Sequence, residues 1–166
     1  MIIKITNYPV GIHALRFEKS AEELQLGTPF VDNLVLDCKL DKSHHQIVIS
    51  CNLTISAELN CDRCDEKYQK EFNSDFTLLY LYDRSKIVDE DTNVKYLSSN
   101  ADKIDLTKDV FDYANLSLPL KKLCSEDCKG LCPKCGKNLN HDKCSCSEEN
   151  INPVWEPILK LKDKLN

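Results

Sequence analysis

From Gln46 to Ala57 the chain alternates apolar and polar residues. Ile47, Ile49, Cys51, Leu53, Ile55 and Ala57 fall on one face, with Val48, Ser50, Asn52, Thr54 and Ser56 between them. A period of two is the side-chain period of a strand, so this stretch predicts a strand with one buried face. It runs to Cys61-Asp-Arg-Cys64. Beyond that, Tyr68, Lys70, Phe72, Ser74, Phe76, Leu78 and Tyr80 continue a looser alternation. Two long strands joined at a CxxC predict a hairpin with a pair of thiols at or near its tip. Upstream, Leu34, Leu36 and Cys38 alternate with Val35, Asp37 and Lys39 as a further strand, and Asp41-Lys-Ser-His-His45 reads as the polar turn that follows it. Ile2, Ile3 and Ile5 open the chain as a short β-type run. Gly11 to Ser20 is loosely alternating, Ala21 to Gln25 suits one helical turn, and Gly27-Thr28-Pro29 is a break.

Residues 83–103 are polar and mixed. They read as a loop, with Asp89-Glu90-Asp91 in solvent, interrupted by a short strand around Val94–Leu97. Asp105 suits the cap of a helix that carries Leu106, Val110, Tyr113 and Ala114 on one face, and Pro119 lies just beyond its end. Asn152-Pro153 resembles an N-cap followed by proline at the first helical position. Trp155, Ile158, Leu159 and Leu165 then form the apolar face of a closing helix that restarts at Pro157, since proline at the fifth position clashes with the preceding turn. The pattern predicts an α+β fold: an antiparallel sheet or partly open barrel, two short helices and a zinc-bound cysteine-rich C-terminal segment. The expected domains are a β-rich core over 1–118, with its helix at about 105–116, and a cysteine-rich segment with the terminal helix over 119–166, docked on the core.

Six of the ten cysteines lie between Cys124 and Cys146. Cys132-Pro-Lys-Cys135-Gly is a zinc-knuckle sequence. Two thiolates at this spacing bind one ion when the backbone between them turns tightly. Pro133 helps to set that turn, Gly136 relieves crowding after it, and backbone N–H groups point at the sulfurs. Cys144 and Cys146 are the nearest downstream pair and complete a tetrahedral set. Cys61 and Cys64 cannot make such a site alone, and Cys124 and Cys128 are left over. Pairing them gives a second site and clips the C-terminal segment to the hairpin. A single zinc with spare thiols is the plainer alternative, and His141 can replace a cysteine. Cys38 and Cys51 read as half-buried strand thiols, because free cysteine behaves as a small hydrophobe.

Composition narrows the chemistry. No apolar run approaches the 20 or so residues that span a bilayer, and the first residues lack a signal-peptide pattern. The cytoplasm is the expected compartment, where clustered thiols hold metal more often than they form disulfides. The formal net charge of −5 argues against loose electrostatic binding to nucleic acid. Nine lysines and seven acidic residues give residues 119–166 a formal +2, leaving −7 on 1–118. One four-thiolate zinc site contributes −2 and cancels the tail's excess.

Rival chemistries lack their signatures. A redox CxxC of thioredoxin type begins a helix, whereas Cys61-Asp-Arg-Cys64 lies between strands. Zinc deaminases use H-x-E with P-C-x-x-C; here the proline is inside the CxxC and no H-x-E occurs. An all-cysteine set implies a closed, structural site. There is no Walker-type loop, GxGxxG or nucleophile elbow. His44 and His45 read as solvated turn residues. Arg63 sits inside one knuckle, and Lys129, Lys134 and Lys137 surround the other. Each is a candidate contact to RNA phosphate or a partner, against the plainer reading of a solvated or salt-bridged side chain.

Cys61-Asp-Arg-Cys64 after a long strand, the Leu118-Pro119 step, the run from Cys128-Lys-Gly-Leu-Cys132-Pro-Lys-Cys135-Gly-Lys to Asn138-Leu-Asn140, the Cys144-Ser-Cys146 pair and a closing proline-plus-aromatic helix resemble the YceD-like family. Its members are described as large ribosomal RNA subunit accumulation proteins. The resemblance covers nearly the whole chain. It implies a bacterial or plastid protein needed for normal 23S rRNA levels, with no established enzymatic activity. Where many members have Asp-Pro-Arg, this chain has Asn152-Pro153-Val154, which puts any role of that arginine in doubt. The expected function is a non-enzymatic factor in large-subunit biogenesis. It would hold one or two zinc ions and bind a 23S rRNA precursor or a large-subunit ribosomal protein, as a monomer, with no membrane and no small-molecule substrate. Two alternatives stand beside it: a protein-only adaptor, and a zinc-thiolate redox sensor that frees its tail on oxidation.

Overall fold

The computed structural model describes residues 1–83 and 93–146. The acidic run at 89–91 and the expected closing helix with Trp155 lie outside the described residues. The chain divides into two compact units. The first comprises Met1–Asp62 and Glu66–Cys124; the second takes Arg63–Asp65 together with the chain from Ser125.

The first unit is built around β4, Gln46–Asn60. The alternation seen in the sequence becomes its burial: Ile47, Ile49, Leu53 and Ala57 are fully buried, Ile55 nearly so, and Cys51 and Leu59 are buried as well. β3 (Phe30–Lys42) and β5 (Lys67–Leu81) flank it antiparallel, and β2 (Gly11–Ser20) pairs with the far side of β3. β6 (Val94–Tyr96) completes the order β2-β3-β4-β5-β6, but it runs parallel to β5. Of the two expected forms the sheet is the open one and not a barrel; the parallel β5–β6 pair is a departure from the antiparallel expectation. A second, two-stranded sheet pairs β1 (Ile2–Lys4) with β7 (Lys103–Asp105). The sequence reading left β7 inside a loop and at a helix cap. Three residues carry too little pattern to mark a strand, and its only buried side chain is Ile104.

The inner face of the large sheet takes Leu36 and Leu40 from β3 and Phe76, Leu78 and Tyr80 from β5. Helix α1 (Thr107–Leu116) packs on β4 and β5. Val110 and Ala114 on α1 are fully buried, as is Leu106 just before it, and Tyr113 stacks on Phe76 with ring centroids 4.2 Å apart. The helix also buries Asp109, which pairs with Lys95 of β6. The outer face is polar, and cross-strand hydrogen bonds join Asn52 to Asp75 (2.8 Å) and Thr54 to Asn73 (2.7 Å).

Cys38 and Cys51 are not separate thiols. They are directly opposite in the β3–β4 register, with Cα atoms 4.1 Å apart, and form a disulfide. The sequence placed both on strands. The pairing depends on the register between strands, which periodicity within either strand does not specify.

Asp105 caps α1 from one position outside the N-cap, which is Leu106. Its carboxylate accepts the Thr107 hydroxyl at 2.6 Å and the Thr107 N–H at 2.9 Å. Those two bonds, the hydroxyl first, hold its pKa below the ordinary aspartate value. A lowered folded-state pKa contributes stability above the unfolded value, near 3.9, and loses it as pH falls through the folded value. Asp105→Ala should therefore cost about 1 kcal/mol at neutral pH. In urea unfolding at stepped pH, the gap between wild type and variant should close below about pH 4. A gap independent of pH would exclude the cap.

Candidate metal centres

Eight cysteines remain as thiols, and the backbone gathers them four and four. β4 ends at Asn60, and Cys61 follows it directly. A tight turn brings Cys64 back: the Cys61 N–H donates to Glu66 O at 2.9 Å, and Asp65 takes the left-handed conformation with φ of 58°. Asp62 fixes the segment leading to Cys124 by a reciprocal pair. Its N–H donates to Lys122 O, and its carboxylate accepts the Lys122 N–H, both at 2.7 Å. Cys128 closes a turn on Ser125. The sulfurs of Cys61, Cys64, Cys124 and Cys128 all lie within 4.8 Å of one another. Three of these residues are buried and Cys124 is half-buried.

The second group is Cys132, Cys135, Cys144 and Cys146, also within 4.8 Å of one another. Here the knuckle closes as a small loop: the Cys132 N–H donates to Lys137 O at 2.8 Å, and the Gly136 N–H to Cys132 O at 2.9 Å. Gly136 has φ of 71° with open space around its α-carbon. Its role is therefore a left-handed backbone and not relief of crowding. The sulfur of Cys144 is 3.3 Å from that of Cys132 and 3.5 Å from that of Cys135. Backbone N–H groups of Cys135 and then Lys134 point at the Cys132 sulfur and bring its pKa down to about 6. The neighbouring sulfurs of Cys144 and Cys135 push Cys146 up to about 12. The backbone N–H groups thus favour the charged form of the Cys132 sulfur, and the crowding of sulfurs disfavours it at Cys146.

The donor sets fit a divalent ion. Four sulfurs around zinc at about 2.3 Å each would stand roughly 3.8 Å apart, within the 4.8 Å that bounds both groups. Four thiolates without another donor make a closed, structural coordination shell. Both groups are the ones the sequence reading paired. Neither contains His141, which had been kept as a substitute ligand.

The tentative contact residues are placed differently from one another. Lys129, Lys134 and Lys137 are exposed on the second unit. Arg63 turns its guanidinium onto backbone: Nη1 donates to Cys128 O at 2.8 Å and to Glu126 O at 3.3 Å. Its own carbonyl accepts the Leu131 N–H at 3.2 Å. A β-carbon on Gly130 would stand 3.0 Å from that carbonyl, so this close approach needs glycine. The sequence reading gave Gly130 and Asn140 no role beyond the shared motif. Both act through backbone or amide groups, which leave no trace in charge or hydropathy.

A family profile described as "Large ribosomal RNA subunit accumulation protein YceD" matches residues 49–162, from within β4 through both cysteine groups. The chain belongs to the YceD family. It is 26% identical over 177 aligned positions to a chloroplastic large ribosomal RNA subunit accumulation protein YCED homolog 1 of Arabidopsis thaliana, covering 91% of this chain and 54% of that protein. A 53-residue match to the homolog 1 protein of Zea mays is 43% identical and covers 31% of this chain and 18% of that one. An uncharacterized protein of Mycobacterium tuberculosis is 27% identical over 129 residues, covering 77% of this chain and 61% of its own. The YceD chain thus spans little more than half the length of the Arabidopsis relative. No solved structure matches it.

If each group holds one ion, the metal content is two per chain. Cys64→Ser should lower it to one, and so should Cys135→Ser, as measured by elemental analysis of protein purified without added metal. A wild-type content of one would sink the two-site arrangement.

Proposed function

We propose that this YceD-family chain is a non-enzymatic factor in large ribosomal subunit biogenesis. It supports accumulation or processing of 23S rRNA by binding its precursor or a large-subunit ribosomal protein. The observation that carries this reading is the family match over residues 49–162, which takes in most of the central strand and all eight cysteines outside the disulfide. The zinc reading belongs with it: two closed four-thiolate sites would hold zinc and stiffen a surface, without an open coordination position for a substrate. The cleft of about 670 Å³ on the large sheet offers no thiol. Its two cysteines are bonded to each other, and its Asn93 accepts the Tyr113 hydroxyl at 2.7 Å.

Charge favours the protein-partner form. The chain carries a formal −5, and each filled four-thiolate site adds −2. A basic ribosomal protein complements that charge, whereas an RNA contact must rest on a few placed side chains such as Lys129, Lys134 and Lys137.

Sedimentation of tagged protein from lysate through a sucrose gradient separates these forms. Co-migration with large-subunit precursors is the expected result. If ribonuclease and higher salt both release the protein, the contact is to RNA. If binding to a ribosomal protein persists after ribonuclease, the adaptor form holds. Migration at the top of the gradient under every condition would refute stable binding to the particle.

A further inference from the structure

Asn140 lies in the loop between Cys135 and Cys144 of the second cysteine group, yet its side chain serves the first. The Lys129 N–H donates to Asn140 Oδ1 at 2.7 Å, and Asn140 Nδ2 donates to the Cys128 sulfur at 3.3 Å. Chemistry fixes the amide's orientation. A backbone N–H only donates, so the amide atom facing Lys129 is oxygen, and the NH2 is left against sulfur.

The loop that presents this amide is itself closed by hydrogen bonds. Asn138 Oδ1 accepts the Asn140 N–H at 2.9 Å, and Asn138 O accepts the Asp142 N–H at 3.0 Å. The Leu139 N–H donates to Gly130 O at 2.9 Å, and Leu131 bridges to Asn138. Cys132, Cys135 and Cys144 flank these residues on both sides. An ion on the second group would therefore hold the loop that carries Asn140. An N–H aimed at a thiolate stabilises its charged, ligating form. Partners of this kind change metal affinity by about 10- to 100-fold.

We propose that Asn140 is a positioning residue that couples the two metal sites. Closing the second group around its ion sets the Asn140 amide on Cys128, so filling the second site strengthens metal retention at the first. Linkage makes the effect mutual. The inference rests on the zinc reading given above.

The test uses the full chain loaded with zinc alone. Metal content is measured, and then each cysteine's alkylation rate in the presence of a chelator is followed by mass spectrometry. Asn140→Asp keeps an oxygen for Lys129 and removes the N–H from the sulfur, so the loop contact survives. Asn140→Ala removes both without adding charge. Either substitution should speed alkylation of Cys128 by about tenfold or more, with Cys132 unchanged in Asn140→Asp. Cys135→Ser, which empties the second site, should speed Cys128 alkylation in the wild-type background and add little to Asn140→Asp. Unchanged Cys128 reactivity in both Asn140 variants, with two ions still bound to wild type, would overturn the coupling alone. So would equal acceleration by Cys135→Ser in both backgrounds. A wild-type chain that binds no zinc would overturn the zinc reading and the coupling together.

Discussion

The register of β4 is the constraint on which the first unit depends. It pairs with β5 along its whole length, Gln46 opposite Leu81 through Asn60 opposite Lys67, and with β3 over most of it. A slip of one residue would turn its seven buried side chains to solvent and drive Ser50, Asn52 and Thr54 into the core without partners. It would also part Cys38 from Cys51, which meet only in this register. Functional placement follows from the same constraint. The strand's last paired residue is Asn60, so the register decides where Cys61 emerges and how the turn to Cys64 is oriented.

The second unit is held on different terms. Among its described residues, Cys64, Cys128, Gly130 and Cys132 are buried, while Leu131 is 41% exposed. Between residues 125 and 146, almost no apolar side chain is removed from water. Backbone hydrogen bonds close its loops, but their net contribution is small, about 1 kcal/mol each. Convergent sulfurs are what remain. With an ion bound, the free energy of coordination becomes the free energy of folding for such a segment. This explains why the cysteines, and not a hydropathy pattern, were the legible signal there.

Legibility followed the length and regularity of each element. β4 and β5 are 15 residues each and α1 is ten, and all three showed in the sequence through their period. The two cysteine groups were reached by giving each CxxC the nearest or left-over cysteine pair, with a single zinc and spare thiols as the alternative. β7, the parallel run of β6 and the Cys38–Cys51 bond were not readable. Each is decided by pairing between distant segments, and local pattern says nothing of partners. Charge alone offered Arg63 as a phosphate or partner contact or as a solvated or salt-bridged side chain; the structure turns Nη1 onto two carbonyls. A guanidinium is a fork of donors as well as a charge, and only geometry shows which property is used.

The same accounting applies to the lysines of the second unit. Lys129, Lys134, Lys137 and Lys143 stand against Glu126, Asp127 and Asp142 between residues 125 and 146. That leaves a formal excess of one positive charge before any metal is counted, and a filled four-thiolate site outweighs it. The surface around the second group is therefore not a cationic patch that attracts RNA from a distance. Any nucleic acid it recognises would be held by shape and placed donors at contact. A basic protein, in contrast, would meet an acidic chain, and one made more negative if the four-thiolate groups held metal. On the proposed reading, metal loading and partner attraction would then change together, because the same thiolates would close the fold and supply the charge.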